Sequence, residues 1–148
     1  MCHSVGEEVW TMVYALVVTT GLLALLPIIT CAAVDPFAFE VPLDPDGIQR
    51  AVVEADSYEF TPHHLVVRAG KPVELTVKSV TVLVPHNLVI DDPKSGLAIK
   101  EEIPAGQTVK VTFTPTVPGS FAIYCDKKLL FFKSHREKGM EGILEVRP

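Results

Sequence analysis

A β-sandwich carried behind one membrane-spanning helix is the architecture this 148-residue chain predicts, and three observations point to it. An uncharged apolar run fills Val9 to Val34. From Gln49 onward, short apolar stretches alternate with polar residues at period two, the pattern of half-buried strands. Clusters of Gly, Pro and Asp separate those stretches where turns are needed. The length allows one domain, and the break in composition after the first quarter leaves a folded unit of about a hundred residues, enough for one core.

The leader, residues 1–8, reads MCHSVGEE, with two acids and no Lys or Arg. Residues 9–34 follow as the helix, since about 20 apolar residues cross the hydrocarbon of a bilayer. A cleaved signal peptide would begin with positive charge, so the segment is expected to stay as an anchor. A lipoprotein reading centred on Cys31 is weaker, because Thr30 is bulkier than the small residue that usually precedes a lipidated cysteine. With no Lys or Arg before Arg50, the positive-inside rule has nothing to count and the charges leave topology open. Residues 35–48 hold three prolines and four acids, and read as a stiff spacer free of regular structure, leading to a domain over 49–148.

Within that domain Val73, Leu75 and Val77 alternate with Glu74, Thr76 and Lys78, and Val109, Val111 and Phe113 alternate with Lys110 and Thr112. Turns are expected at residues 69–72, 91–96, 104–107 and 117–119. No internal repeat interrupts this order. A net charge of −5 disfavours nucleic acid as a partner. Cys2 and Cys31 flank a helix of roughly 40 Å, too far apart to be bridged, which leaves Cys125 as a lone thiol.

Four residues raise a question of chemistry. Strand phase puts His86 on one face with Leu88 and Ile90, and Cys125 with Phe121 and Ile123, so both point inward. Singly, each is an ordinary core residue, since free Cys is among the most buried types and a lone inward His is usually just hydrogen-bonded. With His135 and Met140 they make a set of two imidazoles, a thiolate and a thioether, the donors of blue-copper electron-transfer centres. His63 and His64 lie side by side on a strand, face opposite ways and do not suit one ion. His3 lies in the leader and supports nothing.

The stretch from Tyr58 to Val146 resembles the cupredoxin family, in particular its plastocyanin-like, membrane-anchored single-domain members. YEFTPHHLVVRAGKPVELTV is similar to the family's amino-terminal strands, PHNLVI to its first copper-histidine segment, and GSFAIYC with HREKGMEGILEV to its ligand loop and last strand. The resemblance implies a Greek-key sandwich binding one copper ion that cycles between Cu(I) and Cu(II). It makes His86, Cys125 and His135 the in-plane ligands and Met140 the axial one. It also implies a domain on the extracytoplasmic side, periplasmic or extracellular, and a type 1 copper carrier of single electrons rather than an enzyme. One departure stands out: family members place two to four residues between the cysteine and the second histidine, and this chain has nine, DKKLLFFKS. Doubling a flexible loop costs only about 0.6 kcal/mol of closure entropy, so length alone does not exclude the site.

That insertion carries chemistry of its own. Residues 126–138 contain five basic side chains and two acids around the apolar run Leu129, Leu130, Phe131 and Phe132. Either the run docks a redox protein inside a basic rim, or it tucks into the domain and the lysines are simply solvated. Other functions compete. A terminal-oxidase subunit with a binuclear copper centre needs two bridging thiolates where this loop offers only Cys125. Copper-handling sites are often rich in Met or His, and this chain has three Met in all. A structural or accessory subunit of a larger respiratory or photosynthetic membrane complex fits the same sequence.

Overall fold

A computed structural model describes residues 36–148; the leader and the helix expected over 9–34 lie outside the described residues. Among the described residues no helix is long and apolar enough to cross a membrane. Ten strands among the described residues form two sheets. In the first, β2 (Gln49–Asp56) buries alternate residues and runs parallel to β5 (Val73–Ser79), which does the same. β3 (Glu59–Thr61) turns back along β2, and β8 (Thr108–Phe113) pairs antiparallel with β5, giving the order β3-β2-β5-β8. The second sheet holds β1 (Phe39–Glu40), β4 (His64–Arg68), β6 (His86–Asp92), β7 (Leu97–Ile103), β9 (Gly119–Tyr124) and β10 (Glu141–Arg147), ordered β1-β4-β10-β9-β6-β7. The expected all-β sandwich is what the described residues form.

The period-two pattern explains the packing. Leu75 and Val77 meet Leu88, Ile90, Leu97, Ile103 and Leu144 in one apolar cluster. Each such side chain stabilises the fold by about 1.5–3 kcal/mol through burial. Gln49 is fully buried, and its carboxamide binds the loop that leaves β4: its Oε1 accepts from the Arg68 N–H at 2.7 Å and its Nε2 donates to the Arg68 carbonyl at 3.2 Å. β10 and the chain entering β4 approach so closely at Gly142 that a Cβ there would lie 2.3 Å from the His63 carbonyl oxygen.

Strand direction decides what gathers at each end of the second sheet. β6 and β10 start, and β9 finishes, at one end. Parallel pairing with β10 makes β4 start there too, and β1 follows β4 in parallel. The segment expected to be a free spacer therefore differs from its reading. Phe39 and Glu40 pair with Leu65 and Val66, Val41 donates to the Val66 carbonyl at 2.9 Å, and Val41 is buried. An edge strand between prolines needs only its few free backbone groups satisfied, and the open edge of β4 satisfies them.

Candidate metal centre

Three strand ends deliver the expected donors to one point. His86 is the first residue of β6, Cys125 follows the last residue of β9, and His135 opens the short 3₁₀ turn Arg136–Lys138 before β10. One nitrogen from each imidazole and the Cys125 Sγ all lie within 4.8 Å of one another, and the three residues are buried. Met140 immediately precedes β10 and is fully buried in the core cluster.

Backbone hydrogen bonds tie these residues into a rigid turn. The Cys125 N–H donates to the Met140 carbonyl at 3.1 Å, the Arg136 N–H to the Cys125 carbonyl at 2.8 Å, and the Met140 N–H to the His135 carbonyl at 2.9 Å. Gly139, at φ 103°, supplies the left-handed step that lets the chain reverse between His135 and Met140. The long spacing from Cys125 to His135 is resolved in the same way. The His135 N–H donates to the Lys127 carbonyl at 2.8 Å, closing the base of the insertion, so residues 128–134 form an excursion that leaves the ligand turn intact.

Side chains around the donors settle which atoms face inward. The His86 Nε2 lies 3.1 Å from the Thr81 hydroxyl oxygen, which itself donates to the Val84 carbonyl at 2.7 Å. Thr81 thus accepts the Nε2 proton and leaves a lone pair on Nδ1, a buried atom with no hydrogen-bond partner. Cys125 Sγ sits 3.4 Å from the His135 Nδ1 and receives the Asn87 N–H at 3.4 Å. Asn87 also clamps the next residue: its carboxamide oxygen takes the Asp126 N–H at 3.0 Å and its amide donates to the Asp126 carboxylate at 2.6 Å, where Lys100 also binds. The Tyr58 ring packs edge-on against His135, 5.0 Å between centroids, and Lys138 donates to the Tyr58 hydroxyl at 2.9 Å.

Burial holds the His86 pKa down to about 4, helped by the neighbouring His135. Burial likewise lowers His135, with the positive charges of Lys138 and Lys127 adding to it. Both rings are therefore neutral at pH 7 with nitrogen lone pairs to offer. Burial raises the Cys125 thiol against the opposing backbone donors of Asn87 and Lys127, so an incoming cation must displace its proton. A buried thiol gathered with two imidazoles, one of which carries an unpartnered nitrogen, suits a cation that takes two nitrogens and one soft sulfur. The donor set fits one copper ion.

The sequence points to all four candidate ligands but not to their supports. Asn87 carries a signal, adjacency to His86; Thr81 and Tyr58 carry none, since only the tertiary fold brings them to the imidazoles. His64 lies away from this cluster, its Nε2 3.1 Å from the Glu145 carboxylate, and the His63 ring lies 6.4 Å from that of Phe37.

The family model of the Cupredoxin-like domain matches residues 23–140. No curated protein matches the chain. Among solved structures, the chain is similar to auracyanin B, with 23% identity, TM-score 0.55, and coverage of 73% of this chain and 94% of that one. It is also similar to the metal-binding domain of the Cu(I)-exporting P-type ATPase CopA of Streptococcus pneumoniae D39, at 20% identity, TM-score 0.53, and coverage of 74% and 94%. Sodium-dithionite-reduced auracyanin from the photosynthetic bacterium Roseiflexus castenholzii shares 17% identity at TM-score 0.53, over 67% of this chain and 97% of its own. At these identities the structural likeness speaks for the fold, and with a family model spanning most of the sequence the conclusion is direct: this chain belongs to the family of cupredoxin-like domains.

Proposed function

We propose that this protein is a membrane-anchored carrier of single electrons, holding one copper ion with His86, Cys125, His135 and Met140. The observation that carries the reading is the buried convergence of the His86 and His135 imidazoles with the Cys125 Sγ, the His86 Nδ1 having no hydrogen-bond partner. Copper bound there supplies a one-electron couple, and no substrate bond has to be made or broken. The chain's own part is to hold the donors still. Thr81 fixes the His86 ring, Asn87 fixes Cys125 and Asp126, and Tyr58 braces His135. Such preorganisation keeps the site unchanged as its charge changes, which is what fast electron transfer needs.

His135 is the natural exit. It lines a surface cleft of about 300 Å³ with Tyr58, Leu83, Pro85 and Lys138, whereas His86 is fully buried. An anchor over residues 9–34, with the domain on the extracytoplasmic side, confines the carrier beside membrane redox complexes and raises its effective concentration there.

Visible absorption and electron paramagnetic resonance of the copper-loaded protein, beside Cys125→Ser, test the reading. An intense thiolate-to-copper charge-transfer band that disappears in the variant, with reversible one-electron cycling, is expected. Equal spectra from both proteins would remove Cys125 from the site and favour an accessory-subunit role. A normal band without reversible cycling would favour copper handling.

A further inference from the structure

The same end of the sandwich carries an apolar surface that copper binding does not require. Leu129, Leu130, Phe131 and Phe132 are 68%, 76%, 84% and 51% exposed, which excludes the expectation that they tuck into the domain. On the β5–β6 connection Val82 and Leu83 stand out at 86% and 88%. The two loops flank the cleft over His135, and Phe37 and Ile143 are exposed at the same end. Lysines surround the projection. Lys127 pairs with Glu102 and Lys138 binds Tyr58, while Lys128 and Lys133 form no ion pair among the described residues.

Where the described chain begins gives a second, independent constraint. Phe39 pairs with Leu65, which pairs with Leu144, and the Phe37 ring lies near that of His63. The chain therefore enters β1 from the end that holds the candidate ligands. Only four residues, Asp35 to Ala38, lie between Val34, the last of the apolar run, and Phe39, which makes five steps along the chain. Five extended steps reach at most about 18 Å. With residues 9–34 read as an anchor, chain length alone limits how far Phe39 can stand from the bilayer to about that distance.

We infer that the Leu129–Phe132 loop, together with Val82 and Leu83, dips into an anionic lipid surface and turns the metal end of the domain toward the membrane. Apolar side chains enter the boundary between headgroups and acyl chains, and Lys128 and Lys133, which among the described residues share only the nearby Glu137 carboxylate, meet lipid phosphates, the chemistry that holds basic amphipathic segments at bilayers. The inference rests on the anchor reading of residues 9–34. It deepens the proposed function by naming the class of partner: a redox protein embedded in the same bilayer, reached sideways along the membrane.

The test uses the full chain in nanodiscs of phosphatidylcholine and phosphatidylglycerol, with Cys2 and Cys31 replaced by Ser. A spin label is placed at Phe131→Cys or, at the opposite end, at Lys94→Cys. Collisions with lipid-soluble oxygen should exceed those with a water-soluble nickel chelate several-fold more at position 131 than at 94. Lys128→Gln with Lys133→Gln, or purely zwitterionic lipid, should reduce that contrast. Equal aqueous exposure of both labels on nanodisc-bound protein overturns the loop proposal and leaves the anchor standing. Burial of the 131 label only after a protein partner is added overturns it in favour of a protein dock. Separation of the chain from the nanodiscs overturns the anchor, and this inference with it.

Discussion

Thr81 shows how much of the site depends on a single hydroxyl. Its oxygen lies 3.1 Å from the His86 Nε2 while it donates to the Val84 carbonyl. Thr81→Val keeps the branched shape but leaves the imidazole N–H and a carbonyl without partners, each costing about 1–3 kcal/mol when buried. Outer-shell losses of this kind lower metal affinity about 10–100-fold. A competition titration of Cu(I) against a chromogenic chelator should show that loss in Thr81→Val and recovery in Thr81→Ser. Wild-type affinity in Thr81→Val would mean that the hydroxyl does not orient His86. A second prediction concerns the metal-free protein. The His86 pKa, held at about 4 by burial, lies below the value of about 6.5 expected in the unfolded chain. Above pH 6.5 the ring is neutral in both states and the full stability is present. As pH falls from about 6.5 towards 4, the unfolded state takes up the proton first, so stability drops across that window. Urea titrations of metal-free protein at pH 7, 5.5 and 4.5 should show a falling midpoint, with a weaker fall in His86→Gln. An equal fall in both proteins would assign the loss to other groups.

At the level of elements, the strands were legible because one face of each is buried. Val73, Leu75 and Val77 of β5 went inward as their alternation required, and the ligand histidine His86 was found by its phase with Leu88 and Ile90. Alternation fails for β6 as a whole, since His86 through Ile90 are all buried. Asn87, one residue out of phase, is covered through Asp126 and Lys100 rather than by the apolar core. Two elements were illegible for different reasons. β1 is a two-residue strand between prolines, and whether such a segment pairs depends on an open edge elsewhere, here that of β4. The insertion after Cys125 had no period to read, so burial and exposure of its four apolar residues were equally compatible with its sequence. In the fold the His135 N–H closes the loop at its base on the Lys127 carbonyl, and the run beyond that closure is exposed.

On the scale of the whole molecule, the placement of that closure separates two tasks carried by neighbouring residues. Ligand positions depend on the bonds among Cys125, His135, Arg136 and Met140, and on Ser134, which exchanges hydrogen bonds with Glu137 in the turn after His135; none of these involves residues 128–133. The exposed apolar surface depends on those residues instead. Deleting Leu129–Phe132 leaves five of the nine residues between Cys125 and His135. It sets Lys127 and His135 four positions apart, a span that one hydrogen-bonded turn closes. The deleted protein should therefore fold with unchanged or slightly raised stability, because the four side chains are largely exposed in the folded protein as in the unfolded chain, and the shorter loop costs less closure entropy. Its charge-transfer band and electron paramagnetic resonance parameters should match those of the intact protein. Electron exchange with a bilayer-embedded acceptor should slow at least several-fold, while reduction by a small soluble reagent keeps its rate. A lost band would show that the excursion helps to shape the ligand turn, and an unchanged exchange rate would show that the apolar surface has no part in meeting the partner.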